Sequence, residues 1–203
     1  MVANDGLIEK IDKIEQYAFR VINNDSTLSA LFQNMKNKDS EVYQHSLNVC
    51  RIATLLGLCY NFNLEELIVL AVGSLLHDIG KVYLDKDVLY KPDRLNDNER
   101  IFIEAHTSLG YKVMHDIDIN PTVLEIIKSH HEKLNGKGYP DGLYTAQIPI
   151  LVQLVTIADI YDALTSERVY KEAYSDKAAF SIMEQDDGLN QIAVSILKEI
   201  IYI

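Results

Sequence analysis

The sequence has little of what several common architectures require. Of its 203 residues only two are cysteine. Cys50 and Cys59 fall in one predicted helix, where a straight backbone cannot bring them into disulfide geometry, and their spacing is not that of zinc ligands. Both are expected to be buried free thiols. No apolar run is long enough to cross a bilayer. The start, MVANDGLIEK, lacks the basic end and apolar middle of a signal peptide, so a cytoplasmic protein is expected. Basic charge is also scarce: 19 Lys and Arg stand against 30 Asp and Glu, a formal net charge of −11. Such a surface repels nucleic-acid polymers and anionic membranes. It still admits a small anionic substrate, because a few bound cations reverse the field within one cleft. Clean period-two alternation is rare, and neither βαβ order nor an internal repeat is evident.

What is present is helical periodicity. Hydrophobic residues make up 48% of the chain and charged residues 24%, which argues against disorder. The length fits one domain carrying a small extension. Leu7, Ile8, Ile11, Ile14, Ala18, Val21 and Ile22 mark an amphipathic first helix. Ser26 or Thr27 is placed to cap a second that ends near Met35, and the polar stretch from Lys36 to Ser40 reads as a connector. A third helix is predicted from Glu41 to Tyr60 and a fourth from Leu64 to His77, with Gly80 placed to end it. Residues Lys81 to Leu95 read as a loop. Asn96 and Glu99 have capping-box spacing ahead of the next helix. Asn120-Pro121 is a cap followed by proline at the first helical position. Pro149 opens a long helix through Leu164, and Leu189 to Ile203 reads as a terminal helix. The expected fold is all-α, a helical bundle.

Chemistry enters with the histidines, of which there are six. His45, His106 and His130 fall in register with apolar residues of three different helices, and His77 ends a fourth. One histidine on an apolar face is more often a satisfied core residue than a ligand. Several on separate buried faces need a common partner, because burying unpaired polar rings is costly. A metal centre supplies one, since imidazole and carboxylate suit divalent transition metals. The adjacent pairs His77-Asp78 and His130-His131 lie at helix ends, where neighbours converge on one cleft. Two metals held together there would form a clamp suited to phosphoester hydrolysis.

His77-Asp78-Ile79-Gly80-Lys81 resembles the signature of the HD phosphohydrolases. His130-His131-Glu132, followed by Asn135-Gly136-Lys137-Gly138-Tyr139-Pro140, resembles their HD-GYP subgroup. Tyr43 to Ser46, Lys91-Pro92, Ile157 to Thr165, Arg168 and Tyr170 fit the same series, which covers Asn37 to Glu184. The resemblance implies a phosphodiesterase hydrolysing cyclic di-GMP to pGpG, with GMP as the product if a second cut follows, using two or three divalent ions, iron or manganese. It implies that His45, His77, Asp78, His106, His130, His131 and Asp159 are metal ligands, with Asp78 shared between two ions. Glu41, four residues before His45 on one helical face, matches a third-metal position; otherwise it is an ordinary first-turn glutamate.

Lys81 is implied as a catalytic contact to phosphate or to the water network. Gly138 and Tyr139 would shape the substrate pocket, and Arg168 and Lys171 would hold phosphate oxygens. Asp162 either orients a ligand or Lys81, or faces solvent. Asn135 stands where the family usually has aspartate, and Asp85 where proline is common. His115 lies outside the pattern. The alternatives are a cyclic di-GMP receptor or scaffold without turnover, and an enzyme for another cyclic dinucleotide. Residues 1–36 are expected to be a helical extension and 37–203 the catalytic domain. The segment before Asn37 is too short for a receiver or sensor domain. Packing on the core is the expected role of its helices; a homodimer contact is the other reading, and a cyclase is a candidate partner.

Overall fold

The computed structural model describes residues 5–167 and 172–202. Among the described residues the regular structure is ten α-helices and two 3-10 turns, with one isolated bridge between Asn135 and Tyr144. The all-α bundle expected from the apolar pattern is the fold that forms.

Helices α1 (Asp5–Asn24) and α2 (Ser26–Lys38) open the chain. The cap of α2 is Asp25, whose carboxylate accepts from the Thr27 and Leu28 N–H groups, one residue ahead of the sequence expectation. The expected connector is almost entirely helix: α2 runs through Lys38, and Asp39 alone separates it from α3 (Ser40–Cys59). Asp39 adopts extended geometry and its carboxylate accepts from the Val42 N–H, so one residue ends one helix and starts the next.

Helix α4 (Leu64–Leu76) starts from a capping box of Asn63 and Glu66. Gly80 does not end it. The helix stops at Leu76, His77 is its C-cap, and Gly80 lies inside the 3-10 turn Ile79–Tyr83. A Cβ at Gly80 would fall 1.9 Å from the His106 carbonyl oxygen and 2.7 Å from the Gly110 nitrogen. Glycine is needed there for close packing rather than for a left-handed turn.

The predicted loop after it contains the short helix α5 (Lys86–Leu89), capped by Asp85, whose carboxylate accepts from the Asp87 N–H. Helix α6 (Asp97–Met114) uses the expected Asn96–Glu99 box, and α7 (Pro121–Ser129) the expected Asn120 cap with Pro121 first. Helix α8 (Ile150–Thr165) follows Pro149. The C-terminal part holds two helices rather than one, α9 (Asp176–Gln185) and α10 (Gln191–Ile201). Helix α9 buries only Ala179, Phe180 and Met183, too short a stripe to register as periodic.

Two apolar clusters flank the middle of the bundle. In one, Ile14, Ala18 and Ile22 of α1 and Phe32 and Met35 of α2 pack with Ala71 and Leu75 of α4 and Ile127 of α7. The N-terminal helices are therefore packed on the body. In the other, Val49, Ala53 and Leu56 of α3 pack with Val152 and Val155 of α8, Phe180 of α9 and Leu197 of α10. Helices α3, α4 and α7 contribute to both clusters, which fixes them against each other. Cys50 is buried as expected, but Cys59 is exposed at the end of α3.

Adding a methyl group at Gly80 must push backbone against backbone. Gly80→Ala is expected to cost about 2–3 kcal/mol, the upper range for overpacking, whereas Gly6→Ala, where a Cβ meets nothing within 4 Å, should leave stability unchanged. Urea midpoints for the two variants check this.

Candidate metal centre

Five helices deliver side chains to one point. His45 comes from α3, His77 and Asp78 from the end of α4, His106 from α6, His130 and His131 from the end of α7, and Asp159 from α8. His77, Asp78, His106 and His130 have no exposed surface at all. The Asp78 carboxylate is the hub: its Oδ1 lies 3.3 Å from His106 Nε2 and 3.7 Å from His130 Nε2, and its Oδ2 lies 3.3 Å from His77 Nε2 and 3.6 Å from His45 Nε2. Asp159 sits beside it, 3.0 Å from His45 Nε2 and 3.7 Å from His131 Nδ1.

The outer nitrogens explain how the rings are aimed. His77 Nδ1 lies 2.7 Å from the Ser74 carbonyl, His106 Nδ1 2.7 Å from that of Ile103, and His130 Nδ1 3.1 Å from those of Ile126 and Ile127. A carbonyl only accepts, so each Nδ1 carries the proton and each Nε2 points its lone pair inward. In this arrangement His106 and His130 bring their Nε2 atoms within 3.3 Å of each other, two lone pairs face to face. His77 Nε2 and Asp78 Oδ1 are buried with no hydrogen-bond partner. Buried groups left in this state are costly unless a cation takes the lone pairs.

Two sets of donors converge closely enough to hold an ion, Asp78 with His106, His130 and His131, and Asp78 with His45 and His77. Nitrogen and carboxylate donors of this kind, with protons parked on the outer nitrogens, fit divalent transition metals.

The protonation states agree. Burial, with neighbouring charge, lowers the pKa of His106 and His130 and puts that of His131 well below the usual range. These rings are neutral near pH 7, the form in which imidazole can donate to a metal. Burial would raise Asp78, but the Lys81 ammonium holds its carboxyl well below the ordinary value; for Asp159 the opposing group is His45. His45 is the exception. Burial disfavours its charge, but Asp159 and Asp162 outweigh that and lift its pKa to about 9. Its Nδ1 donates to Asp162 Oδ2 at 2.6 Å and its Nε2 to Asp159 Oδ1 at 3.0 Å, so the metal-free ring is a cation bridging two carboxylates.

Lys81 donates to Asp78 Oδ2 at 2.6 Å. It shares a small cleft with Glu41, His45, Asp78 and Tyr90. Glu41 belongs to neither donor set, but its Oε1 is buried in that region without a partner. Tyr139 stacks on His131, ring centres 4.7 Å apart at 27°. A Cβ at Gly138 would fall 2.4 Å from Glu132 Cα, so this glycine lets the loop lie against the end of α7. His115 is exposed beside Asp116, away from the cluster. Arg168, Tyr170 and Lys171 lie outside the described residues.

A profile described as HD domain matches residues 24–192. The chain belongs to the HD-domain family. Among curated relatives of this HD-domain chain, a cyclic di-GMP phosphodiesterase of Pseudomonas aeruginosa is 32% identical over 180 residues, 87% of the chain and 43% of the relative. A 3′3′-cGAMP-specific phosphodiesterase of Vibrio cholerae is 29% identical, over 86% of the chain and 41% of the relative. The chain thus spans under half the length of these relatives. A solved HD-GYP-type protein of Bdellovibrio bacteriovorus superposes with a TM-score of 0.71 at 21% identity, over 95% of this chain and 62% of that one.

Several supporting residues of the HD domain have roles that become definite only in the structure. Asp162 accepts from Asn48 Nδ2 and Ser166 Oγ, both at 2.8 Å, while holding His45. Asp162 is thus buried and holds the His45 ring rather than facing solvent. Thr156 Oγ1 donates to the His130 carbonyl at 2.7 Å. Glu132, 2% exposed, accepts from the N–H groups of Asp141, Gly142 and Leu143 at 2.7, 3.0 and 2.9 Å. A glutamate that follows two candidate ligands and precedes a glycine-rich loop was the available clue to that last role.

Asp162→Asn keeps the shape but weakens the hold on His45. Affinity for manganese(II) is expected to fall about 10- to 100-fold, as for other partners of ligating histidines, read by competition with a chelating dye. The raised pKa of His45 has a signed consequence. Its charge favours the metal-free fold below pH 6.5, and that contribution is lost as pH rises through about 9. Manganese uptake at pH 7.5 therefore displaces about one proton. Titration calorimetry in buffers of different ionisation heat should show that release, and His45→Gln should lack it.

Proposed function

We propose that this chain is a metal-dependent phosphodiesterase that opens cyclic di-GMP to linear pGpG, with GMP the product if a second cut follows. The observation that carries this reading is one buried carboxylate, Asp78, shared by two sets of inward-facing donors. The curated relatives named as cyclic dinucleotide phosphodiesterases support it. His45, His77 and Asp78 would hold one ion and Asp78, His106, His130 and His131 the other, with Asp159 between His45 and His131. Glu41 is proposed for a third ion, on the strength of its unpartnered buried oxygen. Iron(II) and manganese(II) both suit nitrogen and carboxylate donors. When bound, such ions neutralise phosphate oxygens and make water a stronger nucleophile.

The chain's own groups shape the rest. Lys81 places an ammonium group beside Asp78 on the wall of the cleft, where it would meet a phosphate oxygen. Tyr139 presents an aromatic wall, fixed by its stack on His131, for a base or phosphate. Gly138 brings that wall close. Arg168 and Lys171 are proposed to hold phosphate oxygens. Hydrolysis adds water across one P–O3′ bond, and the ring opens with a 5′-phosphate on one side and a free 3′-hydroxyl on the other. A cytoplasmic location follows from such an intracellular substrate.

Incubation of purified protein with cyclic di-GMP and iron(II) or manganese(II), without oxygen, should yield pGpG or GMP. The folded Asp78→Ala and His77→Ala proteins, and wild type with excess chelator, should fall to background. Unchanged turnover by Asp78→Ala would overturn the assignment. A parallel panel with 3′3′-cGAMP reads base selectivity.

A further inference from the structure

The loop from Lys133 to Tyr144 carries Tyr139 against His131, yet it forms no helix or strand of its own. One of its fixings is internal, the Glu132 carboxylate. Another comes from a distant part of the chain, the turn between α9 and α10. Leu134 N–H donates to the Gly188 carbonyl at 2.8 Å, Lys133 Nζ pairs with Asp186 Oδ2, and Asn135 Nδ2 donates to Asp187 Oδ1 at 2.6 Å. The turn is pressed onto the loop: a Cβ at Gly188 would lie 2.9 Å from Lys133 Cβ and 3.1 Å from Asn135 Nδ2. It also has a rigid base, because Phe180 and Met183 before it and Leu189 and Val194 after it are buried in the same apolar cluster as α3 and α8.

We propose that residues 186–188 are a positioning element for the substrate loop, and that Asn135 and Asp187 form a matched pair that sets it. Asn135 Oδ1 accepts from the Lys137 N–H at 3.1 Å while its amide donates to Asp187. An aspartate at position 135 keeps the first bond. It replaces the second with two carboxylates in contact, and like charges so placed repel. The resemblance noted above has aspartate at this position, and the contact with Asp187 gives a physical reason for asparagine in this chain. Asn135 and Asp187 act through the loop on Tyr139, without touching the metal cluster.

This inference rests on the proposed phosphodiesterase reading only for its kinetic readout. The test is a double-mutant cycle of Asn135→Asp, Asp187→Asn and the pair together, read in two ways. Hydrogen exchange of the amides of residues 134–144 needs no catalysis. Asn135→Asp should speed it about fivefold, the equivalent of losing one net hydrogen bond. Asp187→Asn should stay within about twofold of wild type, because asparagine still offers an acceptor. The double variant should return to wild type, because the two side chains have exchanged roles: the amide now at position 187 donates to the carboxylate now at position 135. In turnover, Asn135→Asp should raise KM by a similar factor with kcat and metal content unchanged, and the double variant should restore KM. Unaltered exchange in Asn135→Asp, or failure of the second substitution to restore it, would overturn the matched pair. If the chain proves to hydrolyse no dinucleotide, exchange alone still decides.

Discussion

The structure depends on the mutual repulsion of buried lone pairs and carboxylates around Asp78. It is offset in part by the Lys81 ammonium and by a protonated His45 held between Asp159 and Asp162. His77 Nε2, Asp78 Oδ1 and the facing Nε2 atoms of His106 and His130 remain without a proton or partner to join them. A fold bears such a cost only if the surrounding packing holds the groups in place. Here that packing comes from two apolar clusters joined through α3, α4 and α7. His77 and His130 sit where α4 and α7 end, so the backbone carbonyls of the last turns, from Ser74, Ile126 and Ile127, orient their rings.

The same economy extends outward. His45 is held by Asp162, which is held by Asn48 of its own helix and by Ser166 just past the end of α8. His130 is held through its carbonyl by Thr156. Glu132 gathers three backbone N–H groups and so ties the glycine-rich loop to the end of α7. A glycine-rich loop without regular structure is thereby fixed by polar contacts instead of a ladder, and its far side rests on the turn between α9 and α10.

Much of this was legible in the sequence where the physics is local. The Asn96–Glu99 box and the Asn120-Pro121 start are read from adjacent residues and form as expected. The histidines stood out because they share registers with apolar residues on separate helices, and His45, His106 and His130 do meet at Asp78. What escaped depended on distant partners. Gly80 has the residue type of a helix stop, but only the approach of α6 explains it. Asp39 makes a connector of one residue where polarity suggested five, because charge does not prevent a helix from continuing. Cys59 reads as apolar and buried, yet it falls on the exposed end of α3. Asp162 could be read either way, as an orienting or a solvent-facing group, until α8 is laid beside α3.

The most direct measurement is anomalous diffraction from crystals grown with manganese(II), recorded at a wavelength where manganese scatters. At least two peaks are expected, one among His45, His77 and Asp78 and one among Asp78, His106, His130 and His131, both touching the Asp78 carboxylate. A structure with that carboxylate free of metal at saturating manganese, and its histidines in the same rotamers, would contradict it.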